Sequence, residues 1–259
     1  MCFSATANFV GSPLVGAVGV ATLTQVRAPR EVVFASLPLL FAVHQFAEGF
    51  VWLGLQGQAP AGVGAAAAYF YLLYAQGVLP ALMPLGVLLI EPSRRRRQLI
   101  APFFVLGIAA GAYLFWVDVA EPVTCRIVNH SIAYETEGSL VGLFAVVYVI
   151  AVVGAALFSG YRWIVAFGIA NLVGLTATQI LLATSFTSIW CAYAAVVSVM
   201  ILFFFLRRRR HERQELAGVD DHAVAPSPYP PAPPVTRGRP GSTPPPGTTE
   251  SVTTPRIAC

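Results

Sequence analysis

Long apolar blocks, almost without charged residues, alternate along this chain with short segments that hold most of its charges. Seven such blocks can be distinguished, and their lengths are close to or above the ~18–20 residues that an α-helix needs to cross a bilayer. They cover residues 3–26, 32–55, 65–90, 99–117, 139–158, 163–182 and 189–206. The pattern predicts an all-α fold, a polytopic bundle of about seven transmembrane helices in the lipid bilayer.

Proline interrupts two of these blocks. Pro80 and Pro84 lie in the latter half of the third block, where the loss of a backbone donor predicts a kink or a local unwinding. Pro13 is expected to bend the first block, and because no basic residue precedes that block we interpret it as a retained helix rather than a signal peptide. A first block that re-entered instead of crossing would move the N-terminus to the cytoplasmic side.

Composition supports the same class. Apolar residues make up 56% of the chain and charged residues 11%, with a mean hydropathy of +0.70, whereas soluble domains carry roughly 25% charged residues. The net charge of +4 would fit a nucleic-acid partner, but every basic residue is an arginine and most of them lie between apolar blocks. That distribution is typical of residues that fix membrane orientation, so we expect no binding to nucleic acid.

The arginines also predict the orientation. With seven spans and the C-terminus inside, 15 of the 16 arginines lie on the cytoplasmic side and only Arg126 lies outside. Without the distant Arg237, Arg239 and Arg256 the division is still 12 to 1. Because positive charge favours the cytoplasmic side, we expect the N-terminus outside, the C-terminus inside, and a multi-pass location in the plasma membrane.

Two regions follow from this interpretation, a helix bundle over residues 1–206 and a cytoplasmic segment over residues 207–259. The second region begins with a basic stop and continues as a 49-residue tail that holds 11 of the 20 prolines. Such a composition cannot bury enough apolar surface to fold, so we expect disorder. The stretch 226–234 has the spacing of a polyproline II ligand, which leaves open a passive tail or a docking segment for a protein partner.

Several short motifs occur in order along residues 1–206. They are Met1-Cys2-Phe3-Ser4-Ala5-Thr6-Ala7, Leu37-Pro38-Leu39-Leu40-Phe41, His44, Glu48-Gly49, Trp52-Leu53-Gly54-Leu55, His130-Ser131-Ile132 with Tyr134, Arg162-Trp163 and Ser188-Ile189-Trp190-Cys191. In these segments the chain resembles an uncharacterised family of bacterial multi-pass membrane proteins that opens with the first motif, a domain of unknown function. Asn8 departs from the small residue expected at its position. The resemblance implies a membrane protein and supplies no mechanism.

His44 and Glu48 are the candidates for chemistry within the spans, because ionisable groups are expensive inside a bilayer. Four residues separate them in the second block, so they share a helical face. One interpretation is a polar cavity that opens outward, with Glu48 as a proton acceptor or metal ligand and His44 as its partner. The other is a buried hydrogen-bonded pair that only fixes helix packing.

Three cysteines fall on the predicted outer side. Cys2 is a candidate nucleophile or metal ligand if removal of the initiator methionine makes it the first residue, and otherwise a small surface residue. Cys125 and Cys191 lie where oxidation is permitted. Three thiols allow one disulfide among Cys2, Cys125 and Cys191, and the sequence does not choose between the pairings.

A metal site is a further alternative. His44, Glu48 and His130, with Cys2, could supply the three or four ligands that zinc needs, although their spacing matches no metal motif and His130 is equally explained as a loop residue. No cofactor is indicated.

Gln76 and Gln179 are weaker ligand-binding candidates, since polar side chains in spans either hydrogen-bond between helices or line a path for a substrate.

Three functions remain open at this point. The protein is a sensor, scaffold or component of a membrane complex; or a small transporter that uses the intramembrane His44 and Glu48; or a membrane-embedded, metal-dependent hydrolase. The last rests on fold-level analogy with seven-span hydrolases.

Overall fold

The structure, a computed structural model, describes residues 4–128, 131–136, 138–181, 194–210 and 214. Most of these residues are helical. The elements are α1 (Ala5–Leu23), α2 (Pro29–Leu55), α3 (Ala61–Leu72), a π-helix (Leu73–Val78), α4 (Leu79–Ile90), α5 (Arg94–Ala120), β1 (Thr124–Val128), β2 (Ser131–Glu135), α6 (Val141–Leu157) and α7 (Arg162–Leu181). Residues 194–210 are also helical and are called α8.

Within the described residues, four helical segments are long and apolar enough to cross a membrane. They are Ala5–Leu23, Pro29–Leu55, Gly62–Ile90 and Arg94–Ala120, and Val141–Leu157 and Arg162–Gly174 are shorter apolar helices. The prediction of a mainly helical chain with apolar spans is therefore confirmed. Two helices continue through arginines that the sequence analysis treated as boundaries, because α5 starts at Arg94 and α8 extends to 210.

A two-stranded antiparallel hairpin, which the sequence analysis did not predict, follows α5. Strands β1 and β2 pair from Thr124↔Glu135 to Val128↔Ser131. Ile132 is completely buried and packs with Trp52 of α2 and Ala68 of α3. The hairpin is thus fixed against one end of the helices, called here the hairpin end, and the opposite end is called the arginine end.

Local signals explain where several helices begin and end. The side chain of Ser4 accepts a hydrogen bond from the backbone N–H of Ala7 and caps α1, and Ser93 caps α5 in the same way. After α2, Gly57 has φ 69°, and the N–H of Gln58 bonds to the carbonyl of Leu53. This is the Schellman pattern, in which glycine accepts the left-handed conformation.

The third predicted span is continuous but not regular. Tyr74 is buried, and in an α-helix the residue four positions later would share its face; instead Val78 is 39% exposed and Leu79 is 4% exposed. The intervening π-helix therefore adds one residue to the turn. The expected local unwinding near Pro80 is confirmed, and it takes the form of this π-helix.

The two prolines leave carbonyls that α5 covers. Pro84 cannot donate to the carbonyl of Pro80, and Pro80 cannot donate to that of Gln76. A methyl group built on Gly107 would overlap the carbonyl oxygen of Pro80, and one on Gly111 would overlap that of Gly77. The two glycines, four residues apart, let the α5 backbone lie directly on this part of the third segment, as small residues do between membrane helices.

Gly107→Ala should therefore destabilise the bundle, because the added methyl group meets backbone that cannot rotate away. We expect a cost of about 1–3 kcal/mol, typical of overpacking, measured as a lower unfolding temperature in detergent. Gly62→Ala is the matched control, since a methyl group there meets nothing within 4 Å and should leave stability unchanged or slightly raised. Equal unfolding temperatures for the two variants would refute this packing.

Candidate functional site

His44 and Glu48 both lie on the buried face of α2, in the half of the helix nearer the hairpin end. His44 is 6% exposed and Glu48 is 0% exposed. Asn8 of α1, also fully buried, donates a hydrogen bond to the Glu48 carboxylate. The shared face follows from the four-residue spacing, and the structure adds Asn8 as a direct neighbour.

Aromatic rings connect this pair to the third segment and to the hairpin. The His44 imidazole stacks on the ring of Tyr71, with centroids 3.9 Å apart and an interplanar angle of 19°. Tyr71 in turn stacks on Tyr134 of β2, at 4.8 Å and 13°. A continuous stack of three rings therefore links α2, α3 and the hairpin.

Tyr74, three residues after Tyr71 in the third segment, also contacts the imidazole. Its ring centroid is 4.9 Å from that of His44, and it belongs to the π-helix. Tyr148 of α6 packs against the core cluster that contains Tyr74. The site thus extends from the hairpin end toward the middle of the bundle.

Several polar atoms around this stack are buried and have no hydrogen-bond partner among the described residues. They are Oδ1 of Asn8, Nε2 of His44, Nε1 of Trp52 and the hydroxyls of Tyr74 and Tyr134. Each such atom costs about 1–3 kcal/mol, so several at one place indicate a site that a proton, a water or a ligand completes. We call Asn8, His44, Glu48, Trp52, Tyr71, Tyr74 and Tyr134 the buried polar cluster.

A mainly apolar cavity of about 280 Å³ lies beside the cluster, between α2, α3 and β1. Cys125 lines it and forms no disulfide with another described residue, and burial raises the pKa of its thiol. Burial likewise raises the pKa of Tyr134 well above its usual value. Cys2 and Cys191 lie outside the described residues, so the predicted disulfide stays a prediction.

The proposed metal ligands are only partly described. In the part of the chain that the structure describes, no three His, Cys, Asp or Glu side chains are grouped closely enough to hold a metal ion. His130 and Cys2 lie outside it, as does the side chain of Gln179. Gln76 is half-buried in the π-helix, two residues after Tyr74. Its role, and those of the other candidates, stay predictions.

The arginine end contrasts with the cluster because its buried charges are paired. Glu31, 1% exposed, forms ion pairs with Arg208 at 3.2 Å and with Arg209 at 2.5 Å. Arg209 also donates to the carbonyl of Gln25. These contacts attach α8 to α1 and α2, and they were missed because Glu31 was placed outside the second span.

A second buried carboxylate, that of Glu91, also lies at the arginine end. Glu91 accepts hydrogen bonds from the backbone N–H of Gly160 at 2.7 Å and from the hydroxyl of Ser159 at 3.3 Å. Arg96 donates to the carbonyl of Ser159 at 3.0 Å. The loop between α6 and α7 is therefore held against the junction of α4 and α5.

The tyrosines of the cluster were not predicted from the sequence. Tyr71 and Tyr74 are three residues apart and lie just before a proline, a spacing that places both on one helical face next to a predicted break. The spacing of Tyr71 and Tyr74 was therefore a signal in the sequence from which their shared face could have been predicted. Tyr134 offered none beyond its place in a family motif, because its contact with Tyr71 depends on how the hairpin folds back.

Comparison with known proteins gives one match. No curated protein and no solved structure matches the chain. Residues 1–216 match the family of unknown function DUF6629, which covers all the described residues. The chain therefore belongs to the DUF6629 family.

Proposed function

We propose that this protein is a multi-pass plasma-membrane protein with seven spans, its N-terminus and hairpin outside and its C-terminus inside. The four long apolar helices support crossing of a membrane. Consecutive helices run between the hairpin end and the arginine end, and every described arginine except Arg126 lies at or near the arginine end. That segregation fits a cytoplasmic arginine end.

Within this arrangement the protein acts as a small transporter that conducts protons, and the buried polar cluster binds the proton in transit. One observation carries the proposal: the rings of His44 and Tyr74 lie 4.9 Å apart at the break in the third span, and Nε2 of His44 and the hydroxyl of Tyr74 are buried without a hydrogen-bond partner among the described residues. Interrupted helices that expose polar groups near the bilayer midplane are typical of transporter binding sites.

The surroundings of His44 suit a proton carrier. The rings of Tyr71 and Tyr74 from the third segment contact His44, and Glu48 lies one turn away on its own helix. Tyr134 of the hairpin stacks on Tyr71, and Tyr148 of α6 packs against the core that contains Tyr74. Carboxylate, imidazole and phenol can each accept and release a proton. Because these groups come from four separate elements, a movement between helices would change which of them are in contact.

A hydrolase is supported less well. It would need an activated nucleophile or a metal-bound water, and among the described residues the buried serines near the cluster are engaged by backbone. Ser12 donates to the carbonyl of Ala42 at 2.9 Å. The role of the proline-rich tail as a docking segment stays a prediction, since residues 217–259 lie outside the described part of the chain.

The orientation can be tested with single cysteines in a cysteine-free background. Gln58→Cys in the exposed loop after α2 should react with a membrane-impermeant maleimide in intact cells. Pro92→Cys in the exposed turn after α4 should react only after permeabilisation. The reverse labelling pattern, or equal labelling at both positions, would rule out the proposed orientation.

Proton transport can be tested in liposomes by imposing a potassium diffusion potential and following internal pH with pyranine. Glu48→Gln keeps the size of the side chain, and His44→Phe keeps a ring to stack on Tyr71, but each removes a proton-accepting group. Both should reduce proton uptake to the leak of protein-free vesicles while the unfolding temperature stays within a few degrees of wild type.

Asp118→Asn is the matched control for Glu48→Gln. Asp118 is another buried carboxylate toward the hairpin end, and it is 1% exposed. It accepts a hydrogen bond from the Thr136 hydroxyl and makes no described contact with the cluster. It should retain wild-type uptake. Wild-type protein that transports no protons, or a Glu48→Gln variant that transports them at the normal rate, would overturn the proposal.

A further inference from the structure

A second, much smaller cavity lies in the bundle beside Phe41, which is one turn before His44 on α2. It has a volume of about 20 Å³ and is enclosed by side chains of α2, α4, α6, α7 and α8. Most of its lining is apolar, but Tyr148 of α6 and Asn171 of α7 also contribute. Neither the family match nor the proposed function assigns a role to this cavity.

The cavity has the size and the polar groups that one water requires. A buried water needs roughly 10–15 Å³ of space and at least two polar partners. The carboxamide nitrogen of Asn171 already donates to the carbonyl of Phe167 at 3.1 Å, which leaves the carboxamide oxygen to accept from a water. The Tyr148 hydroxyl can both donate and accept.

Tyr148 connects this cavity to the polar cluster. Its ring packs against the core cluster that contains Tyr74 and Phe41, and the rings of Tyr71 and Tyr74 both contact His44. Phe41, one turn before His44 on α2, lines the cavity and packs against Tyr74. Polar groups therefore follow one another from Glu48 through His44 and the tyrosines to Asn171.

On its other side the cavity is closed by aromatic rings. Phe167 lines it and packs against Phe34, with centroids 6.4 Å apart. Phe34 also contacts Phe204 and Phe205 of α8. The four rings form an apolar cluster that begins at the cavity with Phe167 and reaches α8. An apolar constriction can block water and ions until it opens.

From this geometry we infer that the cavity holds a water molecule, bound by Tyr148 and Asn171, that is the next proton carrier after His44. The inference rests on the proposed proton transport. A proton leaving His44 adds to the oxygen of a tyrosine hydroxyl, which releases its own proton to the water, so each relay group ends unchanged. The phenylalanine cluster then retains the proton until the helices around it move.

Two variants with one matched control test this in the full-length protein in liposomes. Tyr148→Phe removes the hydroxyl, and Val197→Ile adds a methylene at a residue that lines the cavity and is 2% exposed, so that it displaces the water. Each should slow pyranine-detected proton uptake by about tenfold, the factor expected for loss of one hydrogen-bonded relay. Val196→Ile, one residue earlier and 58% exposed, should leave uptake unchanged.

The outcomes separate the two proposals. Uptake that is lost in Glu48→Gln but normal in both Tyr148→Phe and Val197→Ile refutes the water site and leaves the proposed transport intact. Wild-type protein without proton uptake refutes both. A fall in uptake for Val197→Ile with an unfolding temperature no lower than that of Val196→Ile supports the water site, because filling the cavity then blocks the path without loosening the bundle.

Discussion

Backbone hydrogen bonding in the third helical segment is the constraint on which the rest of the bundle depends. An apolar environment offers no water to a carbonyl that loses its intrahelical donor, and Pro80 and Pro84, four positions apart, remove two donors. The chain responds with a π-helix over Leu73–Val78 and with glycines on α5 that bring its backbone against the exposed carbonyls. The segment remains continuous, but its two halves present faces shifted by one residue.

That shift determines where the polar groups meet. Tyr71, just before the π-helix, and Tyr74, within it, contact His44. The half after the π-helix directs Leu79, Met83 and Val87 into the apolar core. Polar chemistry is therefore confined to one half of the bundle. In the other half, Glu31 and Glu91 are satisfied by arginines, a hydroxyl and backbone N–H groups. Paired charges hold the arginine end, whereas at the cluster the buried Nε2 of His44 and the hydroxyls of Tyr74 and Tyr134 have no hydrogen-bond partner among the described residues.

The features predicted correctly from the sequence were those that one local physical signal determines. The apolar blocks located the helices to within a few residues, the prolines located the break, and the spacing of His44 and Glu48 placed both on one face. Features that depend on tertiary contacts were not predicted. Nothing local indicated that β2 folds back so that Tyr134 stacks on Tyr71, or that Arg209 extends to Glu31 from a helix more than 170 positions away.

The central claim, that Glu48 carries the proton through this cluster, is tested most directly by modification with dicyclohexylcarbodiimide. This apolar reagent adds to protonated carboxylic acids inside membranes. The fraction of Glu48 modified, from peptide mass spectrometry, is compared with the proton uptake of the same vesicles. The account predicts that uptake falls in proportion to modified Glu48 and reaches the leak of protein-free vesicles when modification is complete. Complete modification of Glu48 with undiminished uptake would contradict it.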